Sequence, residues 1–407
     1  MLNLIKMAYR DLGRNRRRTF FSSLALGIGL ALLLLMAGIV QWELTDSMDV
    51  TIKLLSGHMQ VRATTYNEDK TSLAWEDLIE NPGAVAAKIA SLEPVQVATP
   101  RLYASGIVVS GDTSLGVRIM GIDPASPASD PFRTGVISGQ YISADDSSGI
   151  LIGRTLADKL GLKDGDTTTL LVNTSNGSVD QQTFTIRGIY DTNTPSYDAS
   201  TVFLPLAKAQ SIAQAGDRAS LIFIMLKDRQ QTAAVTNALQ SSQYQVLSFE
   251  QMNPLLVMMD QYANSVMIVL YLIVLAITAT VIVNTLIMAV FERTREIGIL
   301  AAIGMKSGRI MTMFFVESVL LALGGILLGL VIGIPLVTWI GSVGLPVSIE
   351  KFGLTGFLLS GKLYAELTLK DTLTLTVITL IVTLLAALYP AILAARMEPV
   401  DALHAGQ

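Results

Sequence analysis

The sequence predicts an α-helical membrane protein with four transmembrane helices and a large α+β domain inserted between helices 1 and 2. Hydrophobic residues make up 51% of the 407 residues and charged residues only 15%, which is too apolar for an ordinary soluble protein. Four apolar runs are long enough to cross a bilayer core of about 30 Å. Between the first two runs lie about two hundred residues in which strand and helix patterns alternate, the size of one or two small modules.

The charge and the cysteine content exclude several classes of function. The net charge of -4 is small and mixed, so the composition carries no electrostatic sign of nucleic-acid binding. The sequence contains no cysteine, which excludes disulfides, thiolate metal sites and cysteine nucleophiles.

The N-terminal segment predicts a cytoplasmic start. Residues 1–18 form an amphipathic pattern typical of a helix lying on a membrane surface. Six Lys and Arg residues precede the first predicted span, residues 19–41, and positive residues favour the cytoplasmic side. A cleaved signal peptide is the alternative, but its apolar core has only about 7 to 15 residues. We therefore interpret the first run as an uncleaved anchor.

Residues 42–260 are predicted to form an extracytoplasmic stalk and α+β domain. An interrupted apolar stripe continues beyond the first span, which predicts a projecting helix; simple fraying of the ends of the spans is the alternative. The segments GHMQVRA, NPGAVAAKIASL and PVQVATP predict a strand, a helix capped by Asn81 and a strand. SLIFIMLKD, RQQTAAVTNALQ and QYQVLSF repeat that order, and short β-rich runs between the two copies predict a second, mostly β lobe.

The rest of the chain alternates across the membrane. The prediction places span 2 at 261–291, a cytoplasmic connecting segment at 292–309, span 3 at 310–342, an extracytoplasmic loop at 343–371, span 4 at 372–395 and a cytoplasmic tail at 396–407.

In span 3, Gly325, Gly329 and Gly333 form a small-residue face that would let another helix approach closely. Glu317 in the same span is either a functional intramembrane acid or, as we favour, a group that reaches the interface or pairs with a basic residue of the connecting segment.

The connecting segment predicts a short amphipathic helix. Glu292 and Glu296 are spaced i,i+4, which places both on one helical face. Apolar residues follow at spacings of three and four, Gly304 is expected to end the helix, and Ser307 is expected to cap the next one. Such a helix suits either docking into a groove of a partner or an ordinary interfacial loop. The residues predicted for docking are Glu292, Arg293, Arg295, Glu296, Ile297, Gly298, Leu300, Ala301 and Gly304.

Catalytic, cofactor-binding and metal-binding residues are predicted to be absent. The segment GFLLSGK at residues 356–362 fits the start of a P-loop, but Leu363 stands where Ser or Thr would hold Mg²⁺, and we reject it. The two histidines, His58 and His404, lie on opposite sides of the membrane in this topology, and HExxH is absent. We expect His58 to have a structural role.

Three motifs resemble one family. ERTREIGILAAIGMKSGRIMTMFFVES, NLIKMAYRDLGRNRRRTFFSSLALGIG and YPAILAARMEPVDALH resemble, in order and spacing, the MacB/LolC/LolE/FtsX family of ABC transporter permeases. The resemblance implies that the inserted domain is a MacB-like periplasmic core and that the connecting segment couples to an ATPase. It also implies a non-catalytic permease subunit in the bacterial cytoplasmic membrane, with both termini cytoplasmic.

The same resemblance implies the partners and the mechanism. The expected partners are a cytoplasmic ABC ATPase dimer, which uses ATP and Mg²⁺, and a second permease subunit that is a copy or a paralogue. A lipoprotein or an extracytoplasmic protein is the expected outer partner. Few polar residues within the spans leave little material for a hydrophilic channel, which agrees with the family's mechanotransmission.

Several functions stay open within this family. Lipoprotein release from the cytoplasmic membrane or export of an outer-face substrate is the main prediction. The alternatives are MacB-like efflux of a peptide or drug and FtsX-like signal transmission that activates an extracytoplasmic hydrolase. An ATP-independent receptor or scaffold is the weakest hypothesis, because it provides no groove for the connecting helix.

Overall fold

The computed structural model describes residue 10 and residues 16–67, 73–239, 243–346 and 362–397. Most of the predicted N-terminal amphipathic helix, most of the predicted tail and residues 356–361 lie outside the described residues. The chain divides into two compact units. Within the described residues, the helical unit comprises residue 10 and residues 16–44, 260–345 and 363–397, and the sheet domain comprises the described part of 45–259 together with residues 346 and 362.

The helices and strands of both units are numbered here in chain order. The helices are α1 (Arg16–Thr51), α2 (Pro82–Ala90), α3 (Asp130–Thr134), α4 (Arg154–Leu160), α5 (Pro195–Asp198), α6 (Leu206–Ile212), α7 (Thr232–Leu239), α8 (Phe249–Met252), α9 (Pro254–Glu292), α10 (Thr294–Ala302), α11 (Ser307–Val343) and α12 (Leu369–Ala395). The strands are β1 (Met59–Ala63), β2 (Ile79–Glu80), β3 (Val95–Ser110), β4 (Thr113–Ile122), β5 (Val136–Gly139), β6 (Gly149–Gly153), β7 (Thr167–Asn173), β8 (Val179–Tyr190), β9 (Thr201–Pro205), β10 (Arg218–Ala219), β11 (Leu221–Leu226), β12 (Tyr244–Ser248), β13 (Leu345–Pro346) and β14 (Lys362–Leu363).

Among the described residues, four helices are long and apolar enough to cross a membrane: α1, α9, α11 and α12. The predicted fold class is therefore confirmed. The helices α1 and α9 are longer than the predicted spans: α1 continues to Thr51 and then into a π-helical turn, Ile52–Ser56. α9 already begins at Pro254. Both helices thus continue beyond the predicted spans, and the extracytoplasmic stalk stays a prediction.

The helical unit has its core between the four long helices. Leu30 and Leu34 of α1 pack with Leu275 of α9, Ile326 of α11 and Leu375 of α12. All five side chains are almost completely buried, so apolar contact between the helices, rather than contact with lipid, holds this centre together.

The sheet domain contains the predicted internal repeat. Its strands follow the order β12-β1-β11-β3-β4-β9-β6-β8-β5, and β7 pairs with β3 and β8. The first copy is β1-α2-β3 and the second is β11-α7-β12, and their four strands are neighbours in a split β-α-β arrangement. The predicted second lobe, with its own buried core, is inserted between the two copies.

One predicted cap differs in the structure. Asn81 occupies the position before α2, but its side chain makes no capping hydrogen bond, and its backbone is left-handed with φ of 46°. Asparagine tolerates this backbone region better than most residues, and Pro82 supplies a favourable first helical residue. The helix therefore begins where predicted, for a different physical reason.

A buried arginine anchors the π-helical turn to the sheet domain. Arg101 on β3 is 1% exposed, and its Nη1 donates a hydrogen bond of 2.9 Å to the carbonyl oxygen of Leu54. The guanidinium lies 3.6 Å from the centre of the Phe223 ring, and the Tyr103 hydroxyl donates to the Leu55 carbonyl oxygen. Because Arg101 and Tyr103 donate hydrogen bonds to carbonyl groups in the π-helical turn, they hold this turn against β3.

A buried carboxyl group makes the stability of the sheet domain depend on pH. Asp198 is 1% exposed and accepts hydrogen bonds from the Thr192 backbone N (3.1 Å) and Oγ1 (2.7 Å). Burial, with a smaller contribution from the neighbouring Asp191, raises the pKa of Asp198 to about 7. The folded state thus holds this proton at pH values where the unfolded chain has already released it.

We expect the Asp198→Asn substitution to flatten the pH dependence of stability. Because the pKa of Asp198 is raised in the folded state, Asp198 adds most to the free energy of unfolding below about pH 4. This contribution to the free energy of unfolding decreases as the pH rises to about 7, by at most about 1.4 kcal/mol for each pH unit. Thermal unfolding between pH 4 and 8 measures this difference between wild type and variant. The exposed Asp112 provides the control, since Asp112→Asn should keep the wild-type slope; an equal slope in Asp198→Asn would contradict the expectation.

Candidate functional site

The connecting segment begins with a helix break. Arg293 separates α9 from α10, with φ of −111° and ψ of 14°. The predicted i,i+4 face of Glu292 and Glu296 is therefore wrong, because the two acids belong to different helices. Glu292 instead forms an ion pair with Arg18 of α1. The end of α9 is thus held to α1 by charge.

The break between α9 and α10 contains a buried ion pair. Nη1 of Arg293 lies 3.5 Å from Oε2 of Glu317 on α11, and the two side chains are only 8% and 3% exposed. Of the two interpretations of Glu317, the structure shows the favoured one, pairing with a basic residue of the connecting segment. A buried pair of this kind is costly to break, because removing either residue takes a compensating charge away from the buried charge of the other.

The inner face of α10 packs against the helical unit. Ile297 and Gly298 are buried, and Ile297 belongs to a cluster with residues of α9, α11 and α12. Ala301 packs against that cluster, and Leu300 is half-buried. Of the predicted docking residues, Ile297 and Ala301 therefore contact the protein's own helices, and Gly298 is buried beside them.

The outer face of α10 carries both charge and exposed apolar side chains. The predicted residues Arg295 and Glu296 are exposed. Ile299 is 44% exposed and Ile303 is 81% exposed, so two isoleucines spaced i,i+4 lie on this face. Neither belongs to the predicted set, which followed the other apolar stripe. The sequence could have identified Ile299 and Ile303, because both are isoleucines that lie outside the main apolar stripe of an amphipathic helix.

A glycine ends α10 as predicted. Gly304 is left-handed, with φ of 98°. Its N–H donates to the carbonyl oxygen of Ala301 at 3.0 Å, and the Met305 N–H donates to that of Leu300 at 3.0 Å, which is a Schellman motif. The expected cap by Ser307 is wrong: Ser307 is the first residue of α11, Lys306 stands at the N-cap, and no side-chain bond is made there.

The predicted packing glycines of α11 lie against α1. A Cβ atom at Gly325 would lie 2.4 Å from Cδ2 of Leu26, and one at Gly329 would lie 2.8 Å from Cβ of Leu30. One at Gly333 would lie 3.0 Å from Cδ1 of Leu34. The three glycines therefore occupy positions where α1 and α11 approach closely.

The described residues contain no cluster of three or more His, Cys, Asp or Glu side chains that could hold a metal ion. Nδ1 of His58 accepts a hydrogen bond of 2.9 Å from the Leu226 backbone N. Burial, assisted by Arg229, lowers the pKa of His58. This histidine has the structural role expected of it, whereas His404 lies outside the described residues.

Comparison with known proteins identifies the family. The model of the MacB-like periplasmic core domain matches residues 19–242, and that of the FtsX-like permease C-terminal matches residues 268–399. The chain therefore belongs to the MacB/FtsX-like family of ABC transporter permeases, as its three motifs predicted. It is a multi-pass membrane protein with a MacB-like core domain between its first two membrane helices.

Several relatives are similar over different parts of the chain. The lipoprotein-releasing system transmembrane protein LolC of Neisseria meningitidis is 24% identical over 82% of this chain and 82% of its own length. LolE of Haemophilus influenzae is 27% identical over 63% of this chain and 64% of its own length. The macrolide export ATP-binding/permease protein MacB of Chlorobaculum tepidum is 33% identical over 30% of this chain and 16% of its own length. The solved periplasmic region of MacB from Actinobacillus actinomycetemcomitans has a TM-score of 0.35 at 15% identity, covering 51% of this chain and 96% of its own.

Proposed function

We propose that this chain is the permease subunit of an ABC transporter and that α10 docks into a groove of a separate cytoplasmic ATPase. The observation that supports this is the two-sided character of α10. Its outer face exposes Ile299 and Ile303, while its inner face is joined to the ends of three membrane helices. Exposed apolar side chains on a short helix suit insertion into a partner's groove.

The contacts of α10 give this helix a mechanical role. The Arg293–Glu317 pair and the cluster around Ile297 connect α10 to α11 and to the ends of α9 and α12. A displacement of α10 by closure of an ATPase dimer would therefore move these helices with it. On this proposal, the long helices carry the movement to the extracytoplasmic domain, and no substrate has to cross the bilayer through a pore.

We also propose a membrane topology for the chain and a set of partner subunits. Both termini and the connecting segment are cytoplasmic, residues 42–260 are extracytoplasmic, and the protein lies in the bacterial cytoplasmic membrane. The complex contains two ATPase subunits, which bind ATP and Mg²⁺, and a second permease subunit that is a copy or a paralogue. The permease subunit itself carries out no catalysis.

For the substrate, we propose lipoprotein release from the outer face of the membrane. The support is that the similarity to LolC extends over both the core domain and the membrane helices, 82% of each chain, whereas the similarity to MacB of Chlorobaculum tepidum covers 30% of this chain. Depletion in cells separates the alternatives: retained lipoproteins would support release, a cell-wall cleavage defect would support a transmitter, and drug or peptide sensitivity would support efflux.

Docking by the outer face of α10 predicts that Ile303→Asp abolishes association with the ATPase. A buried charge in place of an apolar anchor should weaken binding by about 100-fold or more. The measurement is co-purification of a P-loop ATPase with the intact chain in mild detergent, together with ATP hydrolysis. Ile107→Asp is the matched control, because Ile107 is an exposed isoleucine (43%) in the sheet domain. Full retention of an active ATPase by Ile303→Asp would refute docking through this face.

A further inference from the structure

Strand β3 has an open edge over its first half. Over residues 95–101, β3 pairs with β11 on one side. On the other side β4 pairs with β3 only from Leu102, opposite Gly121, onward. No other strand among the described residues pairs with β3 between residues 95 and 101. The sheet is therefore split at this point, and one edge of β3 lies free.

The hydrogen bonds further along β3 show which groups lie on that edge. The Arg101 carbonyl oxygen accepts from the Ser220 backbone N at 3.0 Å, and the Tyr103 backbone N donates to Ser220 Oγ at 2.9 Å. Odd-numbered residues thus direct their polar groups towards β11. Because these directions alternate along a strand, Ala98 directs its N–H and C=O to the open edge, and Pro100 directs its C=O there.

This edge borders a cleft of about 720 Å³ within the sheet domain. The opposite wall is formed by residues 122–127 and the start of α6. Small side chains line the cleft, among them Ala87 on α2, Ala125 and Ala207, all of them exposed. The buried Thr99 Oγ1, also in the lining, has no hydrogen-bond partner. Asp123 is the one ionisable side chain in the described lining.

We propose that the cleft binds an extended, weakly charged polypeptide segment of another protein, added as a strand to the open edge of β3. A free strand edge offers backbone donors and acceptors that an extended chain matches. The alanine walls leave room for the side chains of that segment. A lipid chain would leave the Ala98 and Pro100 groups unsatisfied, which disfavours it. The proposal goes beyond the transport function and requires neither nucleotide nor an ATPase.

The backbone groups on the open edge of β3 determine which peptide can test the proposal. Two of the three groups, the carbonyl oxygens of Ala98 and Pro100, are acceptors, so the bound peptide must supply N–H donors. The probe is a fluorescein-labelled peptide of four Thr-Val repeats with a lysine at each end, and its control has the same sequence with N-methylated central amides. Binding to the full chain in nanodiscs is followed by anisotropy without nucleotide. We expect saturable binding, weakened about tenfold or more by N-methylation.

Two alanines on one face of α2 provide matched variants. Ala87→Trp fills the cleft and should abolish binding, whereas Ala84→Trp, on an exposed residue outside the lining, should leave it unchanged. In the wild type, the peptide should slow hydrogen exchange across residues 95–101. Absence of saturable binding, equal affinity for the N-methylated peptide, or equal effects of the two tryptophans would each overturn the proposal. Because no nucleotide is present, such a failure would leave the ATPase-docking proposal untouched.

Discussion

Replacement of Arg293 by alanine should destabilise the protein by about 3–5 kcal/mol. The substitution leaves the carboxylate of Glu317, whose side chain is 3% exposed, without the guanidinium that lies 3.5 Å from it. The loss is therefore the cost of taking a positive partner away from a buried carboxylate, and it exceeds the net stabilisation that the pair provides. The apparent melting temperature of the purified protein in detergent should fall by several degrees.

A double-mutant cycle separates this effect from loss of packing. Arg293→Ala combined with Glu317→Gln should recover a large part of the stability, because both charges of the buried pair are then removed. Arg295→Ala is the matched control, since Arg295 is the exposed arginine two residues further along the same segment; it should change stability by less than about 0.5 kcal/mol. If Arg293→Ala and Arg295→Ala melted at the same temperature, the buried pair would have no role in fixing α10.

The fold class was predictable because its determinants are local. Apolar runs predict membrane helices from length and composition alone. The two β-α-β copies were recognisable because strand and helix periodicities differ within each short segment. The end of α10 at Gly304 was predictable for the same reason, since a left-handed residue after a helix favours glycine.

The orientation of α10 was not predictable from its own residues. Its sequence has apolar side chains on two faces, and which face is buried depends on α11 and α12, whose contacting residues come later in the chain. The predicted docking set therefore mixed exposed residues such as Arg295 with buried ones such as Ile297. Long-range pairing likewise determines the open edge of β3, because it depends on where β4 turns away.

Gly329→Leu should destabilise the helical unit by about 3 kcal/mol or more, the upper end of the usual cost of overpacking. A Cβ atom at Gly329 would lie 2.8 Å from Cβ of Leu30 and 2.9 Å from the carbonyl oxygen of Gly27. Since the second contact is with backbone, a change of side-chain rotamer cannot relieve it, and α1 and α11 must separate. The smaller Gly329→Ala should also destabilise, although alanine favours helices over glycine by about 1 kcal/mol.

Gly308 on the same helix provides the control that isolates packing from helix propensity. A Cβ atom there meets no heavy atom within 4 Å, so Gly308→Ala should leave the melting temperature unchanged or raise it slightly. The same substitution is thus expected to lower the melting temperature at Gly329 but not at Gly308, and only contact with α1 distinguishes the two positions. If Gly308→Ala and Gly329→Ala shifted the melting temperature equally, α1 would not approach α11 at Gly329, and the assignment of the glycine face to helix packing would fail.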